Sequence, residues 1–402
     1  MNRRLFVAGE IGARRLALCD NSRLIEYLVE DRASRIEDIV RGKVLAVDHS
    51  LGAVFIEVGA TKPGLLPLAE LKQTPSAGAD LMVQIKRDGA ADKGPRLTSR
   101  VRLRGRCVDL LPGQAGVMPA HGGLSPTEIE RVKGTIVDRL GGSFAVALRA
   151  PSLIASTEAL TAEIDRLARA WEKASMRAAG GGSPILLCRG DDVLVRMLRD
   201  VGEHDVIEIA VDQRALATDA ARAIEERLPE LAARVIHRPA RDWHPSLEEI
   251  DEQIEEALDE VVPLPGGGFL RFELGRTLTA VDVNSGGGDG GGRSRDSQSP
   301  LAVNLAATAE TARQLRLRNI GGIVVIDFVD LVRPQDRRRV IVALREALHG
   351  DAALCWVGEM SRLGLVEMTR QRRGRSLLEA LTRPCDSCGG SGRRPRLGTD
   401  RA

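Results

Sequence analysis

Aromatic residues are scarce. They make up 2% of the 402 residues, with a single Tyr, which excludes extensive platforms for stacking bases. Lysine is nearly as rare: seven of the 58 basic residues are Lys, and none lies beyond Lys173. Arg is the residue of bidentate phosphate contact, although such a bias also arises as a codon habit. No run approaches the length of uninterrupted apolar residues that a membrane span needs. Basic residues open the chain at Met1-Asn2-Arg3-Arg4, but Glu10 and Arg14-Arg15 break what would be a signal core. The six Cys form no disulfide framework; Cys19, Cys107, Cys188 and Cys355 stand singly in apolar settings, as small core residues do. A soluble, cytoplasmic chain is therefore expected. No Gly-x-x-x-x-Gly-Lys-Ser/Thr phosphate loop occurs, and the six His fall in no metal-ligand or triad spacing.

What is present suits a globular protein of two to four domains at roughly 150 residues each, with 43% apolar and 28% charged residues. The net charge of +2 points to no partner. Residues 4–31 alternate apolar and polar as paired strands do, and Ile39 to Leu68 holds a second strand set punctuated by Gly. Strands that close together suit a small barrel, including the OB type used on single-stranded nucleic acid. Ser156 to Lys173 carries Leu160, Ile164, Leu167 and Trp171 at helical spacing, most simply a core stripe. Ser246-Leu247-Glu248-Glu249 forms a capping box; a helix with Ile250, Ile254, Leu258 and Val261 on one face is expected to run to Pro263.

The last third is the most patterned. Thr277–Asn284 reads as a strand, a Gly- and Ser-rich loop spans Ser285–Ser299, and Leu301, Leu305, Thr308, Ala312 and Leu315 mark a helix ended by Gly321-Gly322. Ile323–Asp330 is a near-continuous apolar run, as for a strand covered on both faces. Strand, helix and strand make a parallel βαβ unit, whose ligands sit at the carboxyl ends of the strands. Asp282 and Asp327 fall there. Asp282 and Asn284 are two apart, so an extended strand turns both side chains to one face. Mg²⁺ takes one or two protein carboxylates plus water and phosphate oxygens, so these residues suit a magnesium site; an Asp closing a strand also simply caps a turn.

Cys385 and Cys388 form a Cys-x-x-Cys knuckle followed by turn glycines. Zinc needs four ligands, so a second copy of the chain would supply two thiolates, or the pair is redox-active or idle. The final 42 residues carry ten Arg against four acids, a patch suited to a polyanion or to a solubilising tail.

Leu278–Gly286, Ala312–Phe328, Ser361–Arg372 and the Cys knuckle, in this order, resemble the ribonuclease E/G family of bacterial single-strand-specific endoribonucleases. The resemblance implies an α+β multidomain chain. An RNase-H-like fold (1–35 and 191–257) would be interrupted by an OB-fold barrel (36–100) and a 5′-sensor region (101–190). A deoxyribonuclease-I-like α/β catalytic domain (258–382) and a zinc-link knuckle with basic tail (383–402) would follow. It implies that Asp282 and Asp327 hold catalytic Mg²⁺, that Asn284 orients the site, and that single-stranded RNA is cut to 5′-phosphate and 3′-hydroxyl ends in rRNA processing and mRNA decay. Cys385 and Cys388 would share a structural Zn²⁺ with a second subunit, making a homodimer. Phe55, Lys86, Lys93 and Arg149 would contact RNA. The alternative is an RNA-binding protein of the same fold with weak or no cleavage.

Three departures stand out. The family's Arg-Thr phosphate-sensing pair reads Arg149-Ala150, which removes a hydrogen bond worth about 1.5–3 kcal/mol. A second aromatic of the barrel face is Leu65, and stacking a base is worth about 1–3 kcal/mol. The sequence runs ten residues past Gly392, so neither a tetramerising small domain nor a degradosome-scaffold tail is expected.

Overall fold

The computed structural model describes residues 3–10, 13–30, 34–89, 93–119, 125–136, 143–180, 182–201, 206–286, 299–388 and 390. Most of the Gly- and Ser-rich loop (287–298), residues 90–92 and the Arg-bearing tail at 391–402 lie outside these. Packing divides the chain into two units, 1–24, 29–250 and 345–355 in one and 25–28, 251–344 and 356–402 in the other.

The chain opens with β1 (Arg3–Glu10), β2 (Ala13–Asp20) and β3 (Arg23–Val29). Leu5, Phe6, Val7 and Ala8 are all buried, so β1 is covered on both faces. The barrel follows as β4 (Ile39–Asp48), β5 (Ala53–Glu57), β6 (Gly64–Pro67), β7 (Asp80–Arg87) and β8 (Arg96–Thr98). Pairing runs β4-β5-β6-β8-β7 and returns from β7 to β4, which closes the sheet and removes its edges. Val44, Val54, Ile56, Leu66, Val83, Ile85 and Leu97 fill its interior.

Next come β9 (Leu103–Arg104), β10 (Val108–Pro112), β11 (Gly116–Pro119), α1 (Pro126–Ile136), β12 (Phe144–Leu148) and α2 (Thr157–Ala179). The strands form a sheet in the order β11-β12-β10-β9. The stripe Leu160, Ile164 and Leu167 of α2 packs with Val108, Leu110, Val146 and Leu148, and Trp171 lies against the same cluster. Ser156 caps α2 by accepting from the Ala159 N–H. Then β13 (Ile185–Cys188) pairs back onto β4. After α3 (Val193–Asp200), β14 (Val206–Val211), α4 (Arg214–Arg227), α5 (Pro229–Ala232), β15 (Val235–His237) and α6 (Leu247–Glu256), the first sheet is complete. Its order is β15-β14-β1-β2-β3, with β14 parallel to β1 and β2 antiparallel to it.

The other unit centres on a sheet of β16 (Val261–Pro263), β17 (Phe269–Leu274), β18 (Leu278–Asn284), β19 (Gly322–Asp327), β20 (Cys355–Met360) and β21 (Leu365–Arg370). Its order is β16-β17-β18-β19-β21-β20. Helix α7 (Pro300–Leu317) connects β18 to β19, which run parallel; α8 (Pro334–Leu348) precedes β20 and α9 (Leu377–Leu381) follows β21.

Two expectations are corrected. The capping box forms, Ser246 and Glu249 exchanging hydrogen bonds of 2.7 and 3.2 Å, but α6 ends at Glu256 rather than near Pro263. Val262 instead pairs with Leu270 as strand β16 and is buried, leaving Val261 exposed. Ladder pairing with β17 outweighs a helical period that would have buried Val261. Strand β19 is covered on one face only: Val324 and Ile326 are buried, while Ile323 is 51% exposed and Asp327 is open to solvent.

Candidate active site

The exposed face of this sheet carries the residues that the sequence singled out. Along β18, Thr279, Val281 and Val283 point into the core, so Asp282 and Asn284 share the outward face, Asp282 exposed and Asn284 half-buried. Register then does what spacing could not: Asp282 and Asp327 are direct partners in the parallel β18–β19 ladder. Two carboxylates distant in sequence thus stand side by side. Asn284 Nδ2 donates to Asp282 Oδ2 at 2.5 Å. Among the described residues neither Asp makes an ion pair. Partial burial, then the charges of Asp282 and Asp330, raise the Asp327 carboxyl above the usual carboxylate range. A pair of like charges left unneutralised suits a divalent cation.

Two residues outside the expected site support it. Asn304 of α7 is fully buried; its Nδ2 donates to the Val329 carbonyl at 2.7 Å and its Oδ1 accepts from the Val329 N–H at 3.0 Å. That double bond pins the segment between Asp327 and Asp330 to the helix. Its only sequence signal was a polar residue amid apolar ones. Gly364, in the turn between β20 and β21, has φ +82, a region that favours glycine. A Cβ there would lie 3.1 Å from the Phe328 carbonyl, 3.6 Å from Asp330 Oδ1 and 4.0 Å from Asp327 Oδ1. The turn therefore closes near the carboxylates, and a side chain there would be strained by its φ and crowd the Phe328 carbonyl.

The Arg residues that load the end of α7 are partly structural. Arg313 pairs with Glu310 at 2.7 Å. Arg318 is buried with its guanidinium 4.6 Å from the Phe272 ring centroid; burial, then Arg313, lower it to about 10, so it stays charged at neutral pH. Of the C-terminal Arg residues, Arg370 is buried and donates to the Ile320 carbonyl at 2.8 Å, whereas Arg362, Arg372 and Arg383 are exposed.

On the barrel, Phe55 is half-buried on the outer surface and pairs directly with Leu65. Leu65 pairs with Arg96, and Arg96 with Arg87. A row of one aromatic, one aliphatic and two exposed Arg residues crosses the barrel. Arg87 and Arg96 carry no sequence signal, because only closure of the barrel brings them beside Phe55. Lys86 and Lys93 are exposed. Arg149, by contrast, is already engaged: Nη2 lies 2.6 Å from Asp200 Oδ1, Nη1 lies 3.7 Å from Asp109 Oδ1 and donates to the Gly105 carbonyl at 3.2 Å.

Cys385 is exposed and Cys388 half-buried, both as free thiols. They follow α9, whose start is held by a capping box of Ser376 and Glu379. Among the described residues no set of three or more His, Cys, Asp or Glu side chains could hold a metal alone, and a zinc site needs four ligands. No helix among the described residues is long and apolar enough to cross a membrane.

Fold and site together define a mixed α+β protein with a closed five-stranded barrel and a paired-carboxylate site at the ends of parallel strands. The chain belongs to the ribonuclease E/G family, whose model matches residues 103–373. It is 30% identical over 400 residues to ribonuclease G of Escherichia coli, covering 94% of this chain and 81% of that protein. It is also 31% identical over 384 residues to ribonuclease E of Synechocystis, covering 91% of this chain and 56% of that protein. Ribonuclease E of Escherichia coli is 30% identical over 419 residues, 98% of this chain and 39% of the relative. The chain spans about half the length of the ribonuclease E relatives it matches.

Proposed function

We propose that the chain is a Mg²⁺-dependent endoribonuclease that cuts single-stranded RNA to 5′-phosphate and 3′-hydroxyl ends, acting in the cytoplasm on rRNA precursors and mRNA. The observation that carries this is the register pairing of Asp282 with Asp327, beside Asn284. Asp282 and Asp327 would hold the cation. When bound, it supplies a water of lowered pKa and charge neutralisation at the phosphoryl oxygens. Asn284 fixes the Asp282 carboxylate through its amide, and Asn304 and Gly364 set the position of Asp327. Water attacks phosphorus, its oxygen stays on the new 5′-phosphate, and the P–O3′ bond breaks to release the 3′-hydroxyl.

The barrel supports binding of the strand, with Phe55 stacking a base and Arg87, Arg96, Lys86 and Lys93 meeting phosphates, as expected for an OB-type surface. Arg149 would contact a 5′ phosphate only in competition with Asp200. The sheet order β15-β14-β1-β2-β3 supports the RNase-H-like assignment of 1–35 and 191–257. The one-sided sheet of β16–β21 with its helices suits a deoxyribonuclease-I-like catalytic domain at 258–382. Cys385 and Cys388 would share one Zn²⁺ with the same pair of a second copy; about half a zinc per chain fits that homodimer, and one per chain overturns it.

The test is cleavage of a fluorescent single-stranded RNA with Mg²⁺ or EDTA. Mg²⁺-dependent internal cuts that fall roughly 10³-fold in Asp282→Asn, with RNA affinity retained, are expected. Tight binding without cutting in the parent protein would replace this reading with an RNA-binding protein that does not cleave.

A further inference from the structure

The first unit holds a groove of about 540 Å³ whose lining includes Arg166, Arg169, Lys173, Arg177, Arg189 and Arg227. It is built by one face of α2, the end of β13 and the end of α4. On α2 the cations recur at three- and four-residue spacing, one stripe of the helix, while Leu160, Ile164 and Leu167 turn the other way into the core. Glu226 is the only carboxylate of the lining, at 4.0 Å from Arg227.

The pairing of these cations is uneven. Arg189 lies 3.5 Å from Asp38 and Arg227 3.2 Å from Asp191. Among the described residues Arg169, Lys173 and Arg177 make no ion pair, although Arg177 donates to the Leu187 carbonyl at 3.4 Å. Like charges at such spacing on a helix repel. Favourable interaction with a helix C-terminus fades beyond the last turn, and Arg166 and Arg169 lie well before the end of α2 at Ala179. Glu163 and Asp165 offset the repulsion for Arg166 and Arg169. Lys173, however, has no acid three or four residues away on α2 and precedes its last turn, so helix stability does not account for the whole stripe. Convergent, unneutralised guanidinium and ammonium groups around a concave opening are the donor set for phosphate oxygens.

We propose that this groove is a second binding site for the phosphodiester backbone of single-stranded RNA, served by Arg169, Lys173 and Arg177. It rests on the RNA substrate proposed above and adds a contact that neither the barrel nor the carboxylate site provides. Its recognition is electrostatic and independent of sequence, because the lining holds no aromatic ring to stack a base.

The test uses the full chain carrying Asp327→Asn, so that RNA stays intact, with and without Arg169→Ala and Lys173→Ala together. Both residues are exposed. Binding of a fluorescein-labelled, unstructured 30-nucleotide RNA is measured across salt concentrations. Each phosphate contact to a single strand contributes about 0.7 to the slope of log affinity against log salt. The double variant should lose about 1.4 of that slope and bind about tenfold more weakly in 0.1 M salt, and Arg169→Lys with Lys173→Arg should keep the parent's values. Affinity within twofold of the parent, with a slope loss well below the about 0.7 of a single contact, would overturn the groove alone, leaving the nuclease assignment standing. A parent protein that binds no RNA would overturn both. A parallel titration with inorganic phosphate separates the sources: a site that loses phosphate binding but not RNA binding takes free anions, which also overturns the proposal.

Discussion

Two charged clusters, one in each unit, are handled in opposite ways. In the first, Arg199 is 1% exposed and surrounded by carboxylates: Glu37 at 2.9 Å, Asp191 at 2.9 Å and Asp200 at 3.5 Å. Arg104 adds a second cation to Glu37 at 3.5 Å. Burial opposes the charge of Glu37, yet Arg199 and Arg104 outweigh it and hold the carboxyl below its ordinary value. In the other unit Asp282 and Asp327 stand side by side, with no ion pair to either among the described residues, and Asp327 is shifted upward. In the first cluster the charges are neutralised by their neighbours; in the second, like charges face one another.

Breaking the buried cluster should have the largest effect on stability. Arg199→Met leaves three carboxylates without their common partner and should cost about 3–5 kcal/mol, read from urea unfolding at pH 7. Unchanged stability would mean that the cluster is dispensable. The parent should also lose stability in acid. A carboxyl with a lowered folded value contributes fully above its unfolded value of about 4.3 and loses that contribution as pH falls through the folded one. Arg199→Met should flatten this acid limb.

Asn304→Ala should cost about 1–3 kcal/mol, because it removes both hydrogen bonds to the half-buried Val329 N–H and C=O. It should also lower kcat for RNA more than it raises KM, since it loosens Asp327 rather than a binding surface. A change in KM alone would show that the tether does not reach the site. Gly364→Ala should cost about 1–2 kcal/mol for a side chain in the left-handed region and slow cleavage by up to roughly 10²-fold through misplaced carboxylates. Activity equal to the parent's would show that the turn can move aside.

The smallest effect has the opposite sign. Asp327 is raised in the folded protein, so its ionisation costs stability above the folded value, and that cost fades as pH falls through it towards the unfolded one. Asp282→Asn removes one of the repelling charges, so in EDTA it should raise Tm slightly at pH 7 and leave it unchanged at pH 3. A fall at pH 7 would mean that the pair is not repulsive.

Much of this was legible in the sequence because the signals are local. The helix of Leu160, Ile164 and Leu167 forms with its stripe in the core, and the Ser246 capping box forms as written. Strand β18 presents Asp282 and Asn284 on one face because alternation is a property of any strand. Where local signals misled, a partner strand decided: Val261 fits a helical stripe, but β17 draws Val262 into a ladder. An apolar run such as Ile323–Ile326 does not say how many of its faces will be covered.

The sequence by itself determined which residues could do chemistry: two strand-ending Asp residues, an Asn two positions after the first, and a Cys pair. Only the tertiary structure decided which of them meet. The β18–β19 register sets Asp282 against Asp327, and barrel closure sets Arg87 and Arg96 in line with Phe55. Folding ties Arg149, after β12, to Asp200 at the end of α3. Register and closure are chosen by the packing of whole sheets, and that energy is summed over residues far apart in the chain.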